Sequence, residues 1–427
     1  MPCLLALLLL ALGAQAYPAD LPDEVVRVRL LERTAPRSAT VGAVGGPVQV
    51  RVGAALLGTL RPGEAAVVET EGGALALRAF GEREAAERVR FVPHRGAHLR
   101  LRAGSVDRTY HGTLSASADG SGGRAPLRLI NAVRLEDYVA SVVASEYPFR
   151  EAEGVKAQAI LARTYALRSK GKYGAYDLVD DVRSQVYRGI GTETATARRA
   201  AEATRGEVLT WRGSLVEAVY SSSSGGHTAD NDAVWSGRPL PYLRGRPDPF
   251  DRASPNHRWT TSVDRTRLLR TLSARYGGSV TGVEIGERSR EGRARSVRLL
   301  GPRPQTVQAN DFRITLNNAF GSRLLRSAFF SARREGDRYV FEGRGFGHGV
   351  GMSQYGAREQ ARQGYGYRDI LAFYFAETRV TQRTPEVAAP LYTEAPAATG
   401  RTALLAPIPV RPAAVPPRPP PDLRTGW

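Results

Sequence analysis

Residues 135–168 read LEDYVASVVASEYPFREAEGVKAQAILARTYALR, and their spacing predicts two consecutive helices. From Leu135 to Glu146, the residues Leu135, Val139, Val142 and Val143 fall on one helical face. Pro148 ends that helix, because the residue before a proline is steered away from α geometry. A second helix, from about Glu151 to Arg168, is rich in alanine and carries Glu151 and Glu153 in its first turn, as the helix dipole prefers. Upstream, Leu127-Arg128-Leu129-Ile130 reads as a strand running into Asn131.

Further toward the N-terminus, from Glu24 to about Asp119, short runs such as Val48-Gln49-Val50-Arg51-Val52 and His98-Leu99-Arg100-Leu101 alternate with period two between Gly and Pro clusters. That is the pattern of half-buried antiparallel strands. Toward the C-terminus come a third helix (Thr194 to Thr204), a strand (Leu215 to Tyr220), the loop Ser221-Ser222-Ser223-Ser224-Gly225-Gly226, a Pro/Gly/Arg loop to about Trp259 and mixed elements to Val380. From Pro385 on, 11 of the 27 prolines crowd a stretch that cannot pack a core. The expected organisation is α+β: an export signal at 1–16, a β-rich N-terminal module at 17–108, a mixed α+β domain with a cleft at 109–380, and a Pro-rich tail at 381–427.

The signal rests on the apolar run Leu4 to Leu12 followed by Ala14-Gln15-Ala16, a small-x-small cleavage pattern. Nine apolar residues are too few for a bilayer helix, which needs roughly 20, so no membrane span is expected after cleavage. Cys3 is the single cysteine and precedes the apolar run, which excludes a disulfide framework, a Cys-ligated metal and a cysteine nucleophile. Lys plus Arg number 60 against 42 Asp plus Glu, a net charge of +18. The arginines are spread along the chain without a dense basic block or a helix-turn-helix, RNP or zinc-finger spacing, so no nucleic-acid partner is expected. For an exported protein, the acidic polymers within reach are those of the cell envelope.

Three places carry candidate chemistry. Glu146 sits in the last turn of its helix, where the dipole disfavours a carboxylate, and Val142 and Val143 offer it no donor; both effects raise a pKa and suit a general acid. Read alone, it is equally an ordinary glutamate at a helix end. Lys156 and Arg163, seven apart on a face of small residues with Gln158 nearby, would bind an anionic or polyhydroxyl ligand or else form a solvated stripe. Gly343, Gly345, Gly347, Gly349 and Gly351 alternate with Arg344, Phe346, His348 and Val350. In an extended chain every glycine would share one face, open to close approach by another backbone. No P-loop, HExxH or GxSxG is present, and Ser169-Lys170-Gly171-Lys172 matches SxxK only formally.

The segments Leu135-Glu136-Asp137-Tyr138-Val139, Ser145-Glu146-Tyr147-Pro148, Lys156-Ala157-Gln158-Ala159 and Ala162-Arg163-Thr164-Tyr165-Ala166 closely resemble the stage II sporulation protein D / LytB family. So do Gln185-Val186-Tyr187, Ser222 to Thr228 with Val234-Trp235, and Gly345 to Ala357, all in family order over roughly Thr109 to Arg379. The resemblance implies a lytic transglycosylase that cuts the MurNAc-GlcNAc β-1,4 bond of peptidoglycan glycan strands, with Glu146 as the single catalytic acid and no cofactor. It also implies glycan-binding roles for Lys156, Gln158, Arg163, Ser222, Ser224, His348, Gln354 and Tyr355. Some relatives bind zinc through Cys and His before the Gln-Val-Tyr block. This chain has Leu178 to Ser184 there, without a soft ligand, so no zinc is expected. Ala376-Glu377-Thr378 stands where the family usually has Pro-Gly-Thr. The alternative the resemblance leaves open is a non-catalytic, glycan-binding enhancer whose partner is a cell-wall amidase.

Overall fold

A computed structural model describes residues 24–384 apart from Gly123 and Ser236. The expected signal at 1–16 and the tail beyond residue 384 lie outside the described residues. The fold is α+β.

The alternating N-terminal segments form two sheets. One has seven strands in the order Leu178–Val179, Val25–Leu30, Leu127–Arg134, Thr113–Ala118, Arg88–Pro93, Val48–Val52, Ala55–Leu60. The other has six: Val106–Tyr110, His98–Ala103, Ser38–Val44, Ala65–Glu71, Ala74–Ala79, Glu82–Ala86. Alternation places Val28, Val50, Phe91 and Leu129 of the first sheet and Val41, Val68 and Leu101 of the second in one core, all fully buried. All pairings in these two sheets are antiparallel except that between Val25–Leu30 and Leu178–Val179. Strands formed before residue 108 are thus completed by strands that follow it.

The strand Leu127–Arg134 feeds helix α1 (Leu135–Glu146), which is followed by α2 (Ala152–Arg168) and α3 (Ala195–Ala203). Thr194 caps α3, its side-chain oxygen accepting from the Ala197 N–H at 3.1 Å. Val139, Val142 and Val143 of α1 and Ile160 and Leu161 of α2 belong to the same core as the two sheets.

Residues 259–343 fold on a second core of Leu268, Leu272, Phe312, Leu316 and Phe341. Two three-stranded sheets and the helices Arg265–Tyr276 and Ala309–Phe320 enclose it. Its first and last strands pair, Trp259 opposite Gly343, so the chain enters and leaves this unit at one place.

The expected strand from Leu215 to Tyr220 is instead two short pieces. Ser214–Leu215 pairs with Glu207–Trp211, and Tyr220–Ser221 pairs in parallel with Met352–Ser353. Val216 and Ala218 are apolar because they are buried where the chain crosses between those sheets. Among the described residues no helix is long and apolar enough to cross a membrane.

Candidate active site

Glu146 is the last residue of α1, and Pro148 stops the helix just beyond it. Its side chain is buried, with Oε1 accepting the Val186 N–H at 2.7 Å. Burial pushes its pKa up to about 7, opposed by the Val186 hydrogen bond and the positive charge of Arg188. The helix carbonyl of Glu146, one of those left without an intrahelical partner, accepts Gln354 Nε2–H at 2.9 Å. Beside the carboxyl group, Tyr138 Oη donates to Gln185 Oε1 at 3.1 Å, and Gln185 Nε2 donates to Tyr220 Oη at 3.0 Å. Burial, and then charged neighbours that include Glu146, hold both phenols well above their ordinary pKa. The half-buried rings of Phe149 and Tyr355 meet edge to face at 5.0 Å, and Arg358 lies 4.8 Å over Phe149.

The serine loop and the glycine run are laced together next to this carboxyl group. Ser223 and Phe346 exchange backbone hydrogen bonds of 3.1 and 2.9 Å, and the Tyr355 N–H donates to Ser222 O at 3.1 Å. The fully buried Asp251 is the hub. Its carboxylate accepts from Ser223 Oγ (2.8 Å), Ser353 Oγ (2.7 Å) and the N–H groups of Ser224 and Gly225 (2.9 Å each), with His257 Nδ1 at 3.2 Å. Asp248, also fully buried, accepts from Ser224 Oγ at 2.9 Å and Tyr374 Oη at 3.1 Å. Burial, and then the Asp251 charge, push Asp248 up to about 7. From the 259–343 unit, Arg293 Nη2 donates to the carbonyls of Ser224 (2.6 Å) and His227 (2.8 Å).

The glycine run is not an extended strand. Gly345, Gly347, Gly349 and Gly351 have φ of 79°, 99°, 77° and 69°, so the chain bends through the left-handed region at every second residue. Close approach is real nonetheless: a Cβ on Gly345 would stand 2.8 Å from Ser223 O, and one on Gly347 2.8 Å from Ser221 Cβ.

Of the residues singled out in the sequence, Glu146, Gln354, Tyr355 and Ser222 are brought together. Arg163 is not available to a ligand. It is fully buried, paired with Glu136 at 2.6 Å, and bonded to Thr204 Oγ1 and the carbonyls of Ala201 and Glu207. Lys156 reaches Glu153 at 2.7 Å and lies 5.6 Å from the Tyr367 ring centre, so the two cations form no common binding face. Gln158 is fully buried, and its amide atoms have no hydrogen-bond partner among the described residues. Ser224 is spent on Asp248. His348 is buried against Trp235 with its Nδ1 accepting the Val350 N–H at 3.0 Å, and burial pushes its pKa down to about 3. It braces the glycine run as a neutral ring and does not face solvent. Among the described residues no group of three or more His, Cys, Asp or Glu side chains is placed to hold a metal. Sequence reasoning missed Asp248, Asp251, Arg293 and the exposed Arg188, whose roles depend on contacts far along the chain.

Residues 124–211 match a family model described as stage II sporulation protein, and residues 248–351 match a domain of unknown function. The chain is 33% identical over 268 residues to stage II sporulation protein D of Bacillus subtilis, spanning 58% of this chain and 75% of that protein. It is 32% identical to the stage II sporulation protein D of Bacillus amyloliquefaciens over 270 residues, with the same coverage. It is also 30% identical over 278 residues to an amidase enhancer of Bacillus subtilis, covering 54% of this chain and 38% of the relative. With a third of positions shared across three quarters of a relative, and with the Glu146 segment inside the matched model, the chain belongs to the stage II sporulation protein D family.

Proposed function

We propose that the protein is an exported peptidoglycan lytic transglycosylase in which Glu146 serves first as acid and then as base. The observation that carries this reading is a buried carboxyl group whose pKa stands at about 7 beside an aromatic rim. A group with that pKa holds its proton near neutrality and can still give it up in the transition state. Glu146 protonates the glycosidic oxygen as the bond to the MurNAc anomeric carbon breaks. It then takes the proton from the C6 hydroxyl of the same sugar as that oxygen closes on the carbon, leaving a 1,6-anhydro end. This route needs one carboxyl group, where ordinary glycosidases place two across the bond. Asp248 and Asp251, the other carboxylates tied into this site, are fully buried and hold the serine loop. Ser222 and Tyr355 are proposed to line the glycan path beside Glu146, while the buried Gln354 fixes the end of α1 through the Glu146 carbonyl.

The similarity to an amidase enhancer favours a second reading, in which the protein binds glycan and activates a partner cell-wall amidase. Digestion of purified sacculi separates the two. Wild-type protein should release anhydro-muropeptides detectable by mass spectrometry, and Glu146→Gln should lower that rate by about 10² to 10⁴. Intact sacculi, with stimulation of an added amidase that Glu146→Gln leaves unchanged, would replace the enzymatic reading with the enhancer one.

A further inference from the structure

The two N-terminal sheets have four edges, and three of them are guarded. Val106–Tyr110 carries Asp107 and Arg108, Glu82–Ala86 carries Glu82, Arg83 and Glu84, and Leu178–Val179 is very short. Charges and shortness of this kind keep an open row of backbone donors and acceptors from pairing with another chain. The fourth edge, Ala55–Leu60, has neither protection. Residues 53–60 read GAALLGTL without a charge, and among the described residues nothing pairs with the outer side of this strand. Leu56 is 51% exposed on it.

The two faces beside this edge differ in chemistry. Val48, Val50 and Leu60 point into the core, and a Cβ on Gly58, opposite Val50, would stand 2.5 Å from the Phe80 ring, so Phe80 closes the inner face. Phe80 is itself 46% exposed, and Phe80-Gly81 form a two-residue hairpin turn with φ of 56° and 83°. The first position of such a turn suits Asn, Asp or Gly, so a bulky aromatic there is conformationally costly. What the strain places is an aromatic ring alongside the unpaired edge. On the outer face Leu56 lies opposite Arg51 and Arg51 opposite Arg90, with Arg88 on the same strand and face as Arg90. Arg88 and Arg90 are exposed and make no ion pair among the described residues, and Arg51 donates to Gln49 Oε1 and the Ala54 carbonyl without meeting a carboxylate. Like charges directly opposite one another on a sheet cost stability, which an acidic side chain laid beside them would recover.

We infer that Ala55–Leu60 takes up an extended segment of a partner protein in which apolar and acidic residues alternate. Such a strand would lay its apolar side chains on Phe80. Its acidic ones would fall on the outer face, two strand spacings or about 10 Å from Arg51, within the joint reach of arginine and glutamate side chains. A second copy of the chain fits less well, because it brings the same uncharged strand and a further set of these arginines. The Pro-rich segment beyond residue 384 also fits less well, since proline cannot donate to a ladder. The binding asks nothing of Glu146, so the inference stands apart from the cleavage reading.

The test uses the full chain and follows amide hydrogen exchange over residues 53–61 by mass spectrometry. An eight-residue peptide alternating valine and glutamate should slow exchange there saturably and leave the guarded edges at 82–86 and 106–110 unchanged. Its valine–lysine counterpart should bind at least about tenfold more weakly. Octaglutamate, which has the charge without the apolar face, should give this segment no protection. Arg51→Glu combined with Arg90→Glu should reverse the preference between the two alternating peptides. Equal binding of those two peptides, protection by octaglutamate, or an unreversed preference would each overturn the proposal. So would slow exchange before any peptide is added, which would give the edge to a second copy if dilution abolishes it and to the chain's own tail if removal of 385–427 does. The comparison of the three peptides on wild-type protein decides the matter even where the double variant folds poorly. Failure of the protein to cut sacculi would leave these exchange rates unchanged, so the two readings fail separately.

Discussion

At Glu146, burial gives a carboxyl group with an ordinary pKa of 4.5 a value of about 7 in the folded protein. Below pH 4.5 both the folded and the unfolded chain hold the proton. Between about 4.5 and 7 the unfolded chain releases it while the folded one keeps it, so this residue withdraws stability as pH rises through that window. The full difference amounts to about 3 kcal/mol. Asp248, also raised to about 7, and Asp180, raised to about 6 chiefly by burial, act in the same direction. Glu146→Gln cannot ionise, yet its Oε1 can still accept the Val186 N–H. The variant should therefore melt above the wild type at pH 8, with the difference closing toward pH 4, as a series of thermal melts would show. Equal melting temperatures at pH 8 would mean that the carboxyl group is better solvated than its burial indicates. The expected activity has the matching sign: as the acid, Glu146 should lose effectiveness above about pH 7.

Between elements, the glycine run and the α1–α2–α3 junction each invite a test. Gly347 has φ of 99° and sits against Ser221, so Gly347→Val combines a disfavoured backbone with an overpacked contact. It should cost at least about 2 kcal/mol in a urea titration and lower glycan cleavage. Wild-type stability would show that the run yields easily. Arg163 joins α2 to Glu136 of α1, to Ala201 beside Thr204 at the end of α3, and to Glu207. Removing one partner of a buried pair strands the other, so Arg163→Ala should destabilise by about 3 to 5 kcal/mol. A ligand-binding cation would instead lose affinity with its melting temperature intact. These two places also mark how far local sequence carries. Helix α1 is legible because four apolar residues and Pro148 are near-neighbour signals, but the raised pKa of Glu146 comes from burial and not from its place at the helix end, and the donor from Val186 lies 40 residues along the chain. The fate of Arg163 is not legible, since a cation on an alanine-rich helix looks the same whether it faces water or Glu136. Alternating glycines likewise suit an extended strand or a chain bent at every second residue. Only the distant serine loop and Asp251 select the bent form.

Across the whole molecule, the two cores differ in how the chain enters them. Val25–Leu30 is hydrogen-bonded between Leu127–Arg134 and Leu178–Val179, so the N-terminal strands and the helical region complete one sheet and share one core. A chain cut to residues 109–384 would expose the partners of Val26, Val28 and Leu30 and leave an open sheet edge, and it should aggregate. The 259–343 unit is the opposite case. Thr260 lies opposite Glu342 on paired strands, and no residue between them belongs to the larger core. Replacing 261–341 with a short Gly/Ser linker should therefore leave a cooperatively folding protein. The deletion removes Arg293, the donor to Ser224 O and His227 O, together with Arg326 O and Phe329 O, which accept the Gly347 and Arg344 N–H groups of the glycine run. Buried carbonyls stripped of a charged donor cost about 1 to 3 kcal/mol each, and here the cost falls on the loop that flanks Glu146. The excised protein should keep its far-ultraviolet circular dichroism and a single melting transition, while release of muropeptides from sacculi drops sharply. Loss of the transition would make the unit integral to the fold, and unchanged release would free the serine loop and the glycine run of any dependence on the contacts of this unit.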